Sequence, residues 1–360
     1  MLCPLRTPFQ KTSSRTNCTS TKSKIKPFGV LLEHGAKRIP EIKGTFWDEF
    51  TIIKTIKKSK KLTSFAFAIH NSTNIPVMVK SFVEYDNVTD YNLQNLLYEV
   101  KMYQAMQELA SVVPHFATFV AFFVYSDEQL LQHIPLHKAA DAPHVNKLLV
   151  TTLARGSSLK DYMGTSTVPR ITVISILFQL LFSIYAMSML GFQHNDLHYK
   201  NIHVNTKPLN KEGLYFLEGK KYLIPLPVHI TIFDFDLGSC LPCGEHASLS
   251  ALYCKQFGVC NERNPRFDMY TILSYIKDST SVIAYPELVE MIHDIMGPEP
   301  ITQHFDYRMC DEVSETECKA FPPSMPASVM TPAEAIDVYF PNFLKKEPPR
   351  RRKSQRRYTK

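Results

Sequence analysis

The chain of 360 residues is poor in glycine, cysteine and tryptophan, and the first two shortages each exclude a class of protein. Twelve glycines are too few for a collagen, and eight cysteines in a chain of this length do not form the framework of a small disulfide-rich domain. No apolar stretch precedes Phe28, so we expect no signal peptide. Apolar residues make up 44% and charged residues 21%, which excludes a fully disordered chain and allows one or two domains.

Charge is distributed unevenly along the chain. Residues 1–26 contain no acid and carry +6, residues 341–360 carry +8, and the remainder carries −7. We therefore expect a folded, mildly acidic body at 27–340 between a disordered basic arm, 1–26, and a disordered basic tail, 341–360. The tail has two functional interpretations, nuclear targeting and weak nucleic-acid contact by phosphate neutralisation. The alternative is a solubilising end without a partner.

One segment, residues 171–192, contains no charged residue over 22 positions and is long enough to cross a bilayer. Serine, threonine and glutamine residues interrupt it, and no basic cluster lies close to either end. We expect a buried helix of a protein core and no membrane span. Together with the lack of a signal peptide, this predicts an intracellular protein with reduced thiols.

The pattern of apolar residues predicts strands first and helices later. Strands are predicted at 50–56, 63–70, 75–84, 115–125 and 146–153, and an amphipathic helix at 90–109. Helices are then expected at 158–163, 171–190, 267–277 and 286–295, with a hairpin at 214–226 and a strand at 228–235. This order predicts an α+β protein with a small antiparallel β-sheet lobe, about 48–150, and a larger, mainly helical lobe, about 151–340.

The segment HNDLHYKNIHV, residues 194–204, follows the long apolar helix directly and contains Asp196 and Asn201. The segment ITIFDFDLGS further along places Asp234 at the end of an apolar strand. Phosphoryl transfer needs a carboxylate that orients the attacking hydroxyl and hard oxygen ligands for Mg²⁺ on the phosphates. An Asp–x4–Asn loop followed by an aspartate at a strand end supplies these groups.

These segments resemble the catalytic loop and the metal-binding motif of the protein-kinase-like superfamily, whose usual loop reads H-R-D-L-x-x-x-x-N. The resemblance implies a bilobal fold that binds ATP and Mg²⁺ in the cleft between its lobes. It also implies that Asp196 is the catalytic aspartate and that Asn201 and Asp234 are the metal ligands.

Other parts of the family pattern follow in the expected order. The resemblance implies that Lys80, in VMVK, contacts the ATP phosphates and is paired with Glu99 on the next helix. In LLVTTLARGSSLKDYM, the residues Thr151 to Leu153 would pass the adenine and contact it through backbone groups. Asp268, in NPRFDMYTIL, would brace the backbone of the catalytic loop. The resemblance covers about residues 48–295.

The chain departs from the family pattern at several positions. The glycine-rich loop G-x-G-x-x-G is absent, and the equivalent turn would be KKSKKLTS at 57–64. Asn195 replaces the arginine of the catalytic loop, His198 stands where many Ser/Thr kinases have lysine, and Asp236 replaces the glycine of D-F-G. The pattern is closer to the haspin-like kinases and to the kinases of large DNA viruses. It implies a virus-encoded Ser/Thr protein kinase acting on protein substrates in the host cytoplasm, the virion or the nucleus.

Two alternative functions remain open at this point. Aminoglycoside and choline phosphotransferases, which act on small molecules, also show H-x-D-L-H-x-x-N and D-F-D. A pseudokinase that binds partners without turnover would explain the missing glycine-rich loop. The segment RFDMYTIL favours a protein kinase over the first alternative, and the intact set of acidic and basic residues opposes the second.

Cysteines form a second candidate site. Cys240 and Cys243 make a C-x-x-C pair, and His246, Cys254 and Cys260 follow within a short distance. Local pairs of this kind can supply the four ligands of a structural zinc ion. The spacing of the second pair is loose for zinc, and reduced cysteines without a metal are the alternative.

Overall fold

The computed structural model describes residues 28–32, 39–56, 63–85, 91–125, 144–164, 167–246, 249, 263–297 and 328–345. These residues form an α+β protein with several antiparallel sheets. Its strands are β1 (Phe28–Leu31), β2 (Phe50–Ile56), β3 (Thr63–His70), β4 (Pro76–Tyr85), β5 (Phe119–Tyr125), β6 (His144–Thr152), β7 (Ser157–Ser158), β8 (Phe192–Gln193), β9 (Ile202–Asn205), β10 (Glu212–Leu217), β11 (Lys220–Pro225), β12 (His229–Ile232) and β13 (Ser239–Cys240). Its helices are α1 (Phe46–Glu49), α2 (Tyr91–Val112), α3 (Leu159–Gly164), α4 (Arg170–Leu190), α5 (Pro265–Ile276), α6 (Thr280–Ile283), α7 (Pro286–Met296) and α8 (Pro332–Tyr339).

A five-stranded antiparallel sheet in the order β2-β3-β4-β6-β5 contains the first half of the predicted site. Side chains alternate between the two faces of each strand. On β4, Val77 and Val79 are buried in a small hydrophobic cluster on one face, together with Phe46 and Phe50. This alternation turns Lys80, the next residue, toward the opposite face, where α2 lies.

Helix α4 forms the centre of the largest hydrophobic cluster and has buried residues around its whole circumference. It is long and apolar enough to cross a membrane by length and composition, with a mean hydropathy of 2.0, and 83% of that window is buried. Its polar side chains bond to protein groups. Gln179 donates to the carbonyl of Val228 and accepts from the amide of Ile230, and Ser175 donates to the carbonyl of Pro225. Its assignment to a protein core rather than a membrane stays a prediction.

A second sheet, in the order β1-β10-β11, pairs the first strand of the described residues with a hairpin, and β11 also forms a bridge with Leu344 near their C-terminal end. The predicted hairpin turns at Glu218 and Gly219, which both have positive φ, at 47° and 80°. Two central residues with positive φ are what a two-residue type I′ hairpin turn requires. The pairing of β1 with β10 joins residues far apart in the sequence and was not predicted.

The boundary of the basic tail was predicted too early. Residues Pro341–Phe343 form a short 3₁₀ helix, and the amide of Lys345 donates to the carbonyl of Lys221 at 2.7 Å. The end of this segment is therefore bonded to the edge of β11, where Leu344 also forms a bridge with Tyr222. Helix α8, which precedes them, was also not predicted. The arm at 1–26 and the tail from 346 onward lie outside the described residues.

Candidate active site

Lys80 is the centre of a buried charge cluster that joins three distant parts of the chain. Its Nζ atom donates to Glu99 Oε2 at 2.7 Å and to Asp234 Oδ1 at 3.1 Å, and Asp236 Oδ2 lies at 4.0 Å. The side chain of Lys80 is 15% exposed and that of Glu99 is 2% exposed. The structure thus contains the Lys80–Glu99 pair that the sequence predicted from strand β4 and helix α2.

The cluster contains one cationic side chain against three carboxyl groups. Burial alone would lower the pKa of Lys80, but the negative charges of Asp234, Glu99 and Asp236 outweigh it and raise the pKa well above the ordinary lysine value. Burial raises the pKa of Glu99, against the opposing effect of the Lys80 charge. Lys80 therefore stays protonated at neutral pH.

Helix α2 also holds the backbone of Asp234, through Tyr103, a residue that the sequence analysis missed. The backbone N–H of Asp234 donates to the hydroxyl of Tyr103 at 3.1 Å, and the Tyr103 ring contacts Phe235 edge-on with centroids 5.2 Å apart. Asp234 has a φ of 68°, which is unfavourable for a residue other than glycine. Tyr103 lies four residues after Glu99, on the same face of the helix. An aromatic residue four positions after Glu99 was the signal in the sequence that could have identified Tyr103 as part of the site.

The predicted catalytic loop, between β8 and β9, brings Asp196 and Asn201 together. Asn201 Nδ2 donates to the carbonyl oxygen of Asp196 at 3.0 Å and to its Oδ2 at 3.2 Å. The amide of Phe233 donates to the carbonyl of Asn201 at 3.1 Å, which places this loop beside the segment that carries Asp234. The pairing of β9 with β12 is the reason for this proximity.

Two histidines of the loop are buried and hydrogen-bonded. His194 Nδ1 accepts from the amide of Asp196 at 3.3 Å, and His194 Nε2 donates to the carbonyl of Phe233 at 3.0 Å. With both ring nitrogens bonded to backbone groups, His194 holds the loop against the segment that carries Phe233. His198 Nδ1 accepts from the amide of Lys200 at 3.1 Å, so its proton is on Nε2, which lies 3.7 Å from Asp196 Oδ2. His198 therefore directs an N–H group toward the predicted catalytic carboxylate.

Asp268, at the start of α5, braces the loop as the sequence predicted. Its Oδ2 atom accepts from the amide of His194 at 2.7 Å and its Oδ1 atom from the amide of Asn195 at 2.8 Å. Asn195 has a φ of 64°, so the loop adopts a strained conformation where the two amides meet the carboxylate. The Asn195 side chain also donates to the carbonyl of Leu237 at 3.0 Å.

The residues predicted to pass the adenine lie at the end of β6. Thr151 pairs with Met78 and lies on the same face of the sheet as Lys80. The amide of Thr152 donates to the carbonyl of Thr118 at 2.9 Å, and that of Leu153 to the carbonyl of Pro76 at 3.3 Å. These two N–H groups are used within the sheet, so an adenine contact through them would require their present bonds to break. The turn at 57–62 lies outside the described residues.

The expectation of reduced thiols is wrong for one pair of cysteines. The sulfur atoms of Cys240 and Cys243 are bonded, with Cα atoms 5.1 Å apart. The 3₁₀ turn between them, with a proline, brings the two side chains within reach of each other. His246 Nε2 donates to the carbonyl of Asp236 at 2.9 Å. The zinc hypothesis also needs Cys254 and Cys260, which lie outside the described residues.

Comparison with known proteins adds no assignment. No family model matches the chain, and a search of curated proteins gives no match.

Proposed function

We propose that this protein is an ATP- and Mg²⁺-dependent protein kinase that transfers the ATP γ-phosphate to serine or threonine hydroxyls of proteins. The proposal includes a bilobal kinase-like arrangement, with the five-stranded sheet and α2 as the smaller lobe. The observation that carries it is the double hydrogen bond from Lys80 to Glu99 and Asp234. These three residues come from a strand, a helix and a loop that follow one another in the order expected of such an enzyme.

The residues present fit Mg²⁺, which prefers oxygen ligands and carboxylates. Asp234 and Asp236 supply carboxylate oxygens, with side chains 32% and 40% exposed, on the rim of the buried Lys80 pair. The Asn201 side chain donates through its nitrogen to Asp196, which directs its amide oxygen away from that residue. Asn201 and Asp234 would hold the metal, with Asp236 beside them. When bound, Mg²⁺ would neutralise charge on the phosphates.

The chain's own groups would do the rest of the catalytic work. Lys80 would hold phosphate oxygens with a charge that Glu99 keeps in place. Asp196 would orient the substrate hydroxyl and accept its proton, while Asn201 donates a hydrogen bond to its carboxyl group and His198 Nε2 lies 3.7 Å from it. Catalysis by these groups is mainly positioning and charge stabilisation.

The decisive test compares wild type with Asp196→Asn in an assay of γ-phosphate transfer to acidic and basic protein substrates in the presence of Mg²⁺. We expect transfer to serine or threonine, reduced by between about a hundredfold and ten-thousandfold in the variant. The matched control is Asp278→Asn, a more exposed aspartate bonded to the neighbouring Lys277, which should retain wild-type activity.

The other outcomes would favour the alternatives. ATP that raises the melting temperature without any transfer to protein would favour a pseudokinase, which the missing glycine-rich loop makes the second candidate. Transfer to aminoglycosides or choline alone would favour a small-molecule kinase. Neither transfer nor an ATP-dependent shift in melting temperature would contradict the proposal entirely.

A further inference from the structure

The disulfide between Cys240 and Cys243 closes a short turn, residues 240–244, which we term the disulfide turn. Cys240 pairs with Phe192 in β8 and forms a bridge with Gly244. Cys240 is 3% exposed, whereas Cys243 is only partly buried. One residue of the bond is therefore buried, and the other is partly exposed.

The disulfide turn is bonded to helix α2 at the residue that precedes Glu99. The Tyr98 hydroxyl accepts from the amide of Cys240 at 3.1 Å and donates to the carbonyl of Gly244 at 2.9 Å. These two bonds hold both ends of the turn with a single side chain. Since Tyr98 and Glu99 are adjacent in one helix, a displacement of the turn changes the position of the Lys80 partner.

The same turn is connected to the other two parts of the candidate active site. The Tyr98 ring contacts the His246 ring, with centroids 4.2 Å apart, and His246 Nε2 donates to the carbonyl of Asp236. Ser239, next to the turn, pairs with Gln193, which immediately precedes the predicted catalytic loop. Helix α2, the segment that carries Asp236 and the predicted catalytic loop are therefore all in contact with the disulfide turn or with residues next to it.

We propose that Cys240–Cys243 is a redox-active disulfide that dithiol reductants open, and that the reduced protein transfers phosphate more slowly than the oxidised protein. A thiolate of the dithiol attacks the sulfur of Cys243, the more exposed residue of the pair, and forms a mixed disulfide there. The sulfur of Cys240 leaves as a thiolate and takes up a proton. The second thiol of the reductant then displaces Cys243 as a thiol, so the reductant ends oxidised and the protein gains two thiols.

The predicted compartment strengthens this inference. The sequence predicts an intracellular protein, and disulfides in that setting are usually transient, catalytic or redox-sensing. Reduction removes the covalent link that closes the turn, and the two bonds to Tyr98 then hold a flexible segment. When the turn is no longer fixed, Glu99 should be less well ordered, because only one peptide bond separates it from Tyr98. The activity readout of this inference rests on the proposed kinase function.

The test uses the full-length protein, oxidised or treated with dithiothreitol. Mass spectrometry after alkylation of free thiols reports the state of Cys240 and Cys243. Hydrogen exchange of the α2 amides around Glu99 and the rate of γ-phosphate transfer report the consequence. We expect reduction to speed exchange and to slow transfer, each by about fivefold, the equivalent of one lost neutral hydrogen bond. The double variant Cys240→Ser/Cys243→Ser should resemble the reduced protein and no longer respond to dithiothreitol.

Two further variants separate the coupling from general destabilisation. Tyr98→Phe keeps the disulfide and the ring contact but removes both bonds to the turn, so reduction should change its exchange and transfer rates by less than twofold. Cys318→Ser, outside the described residues, should respond to reduction as the wild type does.

Three results would overturn the inference. One is alkylation of both cysteines in protein that was never reduced. Another is one zinc ion per chain bound through these sulfurs. The third is a disulfide whose reduction leaves the exchange of α2 unchanged. If the oxidised protein transfers no phosphate at all, the proposed function fails, but thiol state and hydrogen exchange still decide on the redox site.

Discussion

The carboxylate of Asp268 offers the sharpest test of how the candidate catalytic loop is held. It is 2% exposed and accepts the amides of His194 and Asn195 at 2.7 and 2.8 Å, one on each oxygen. Asp268→Asn retains the shape of the side chain but leaves only one acceptor oxygen. Whichever way the amide group rotates, one of the two backbone N–H groups then faces an NH₂ group.

The expected cost follows from these two bonds. A hydrogen bond to a charged group contributes about 1.5–3 kcal/mol, and a buried donor left without an acceptor costs about 1–3 kcal/mol. Burial raises the pKa of Asp268, although the two amide hydrogen bonds lower it, so the neutral variant avoids part of the cost of burying a charge. We expect a net loss of about 3 kcal/mol in the free energy of unfolding, a fall of about 6 °C in melting temperature.

Urea denaturation and ATP transfer would be measured on the same preparations. Transfer should fall at least about tenfold, because the Asn195 amide, in a residue with a φ of 64°, depends on this carboxylate for its position in the loop. The matched control is Asp278→Asn on an exposed turn, for which we expect a change within about 0.5 kcal/mol. A loss below about 1 kcal/mol for Asp268→Asn would refute the bracing argument, as would an equal loss in the control.

The remaining predictions concern the charge cluster, a buried histidine pair and the loop histidine. Lys80→Met should reduce transfer by about a hundredfold or more, because a charge that stabilises the phosphates is lost, and initial-rate kinetics would measure this. Burial lowers the pKa of His229 to about 4 and that of His115, whose ring lies 4.8 Å from it, well below 6.5. The fold favours the neutral rings, so their contribution is complete above about pH 6.5 and is lost progressively as the pH falls toward 4. For His229 this predicts a loss of about 2 kcal/mol between pH 7.5 and pH 5, so urea denaturation should show a pH-dependent loss smaller by about that amount in His229→Phe, in which His115 remains. His198→Phe should lower kcat about tenfold with little change in KM, because it keeps an aromatic ring but removes the N–H group near the predicted catalytic carboxylate. The melting temperature should fall slightly, because the Lys200 amide loses its acceptor. An unchanged kcat would show that this histidine only fills space.

Local patterns were sufficient to predict most of the elements that position the site. The predicted strands at 50–56 and 63–70 coincide with β2 and β3, and buried and partly buried side chains alternate along residues 64–70 of β3. Helix α4 ends at Leu190, in agreement with the predicted range 171–190, and the next residue, Gly191, adopts the left-handed conformation at φ 81°. The α+β class followed from the order of these elements.

Helix α8 was missed although its start signal is present in the sequence. Thr331 and Glu334 form a capping box, and a proline occupies the first turn. The abundance of proline in this part of the chain obscured the signal. The pairing of β1 with β10 was missed for a different reason, because neither strand carries local information about a partner so far away in the sequence.

In the candidate site, too, local patterns could be predicted and contacts between distant residues could not. The spacing of Lys80 and Glu99 pointed to a contact that the structure contains. The partners of Tyr98 and Tyr103 could not be predicted, since both residues bond to backbone groups more than 130 positions away. A single sequence shows which side chains can ionise or bind a metal. It does not show which hydroxyl group meets which distant amide.

These tyrosines explain how the site can be ordered in a chain that lacks the arginine of the catalytic loop. Within six residues of α2, Tyr98 holds the disulfide turn, Glu99 holds Lys80 and Tyr103 holds the backbone of Asp234. At the position of the missing arginine, Asn195 donates to the carbonyl of Leu237 and accepts from Gln193, bracing the loop through neutral hydrogen bonds. None of these contacts requires a phosphorylated side chain as a partner. The arrangement thus depends on side chains already present and, through the disulfide turn, on the redox state of one cysteine pair.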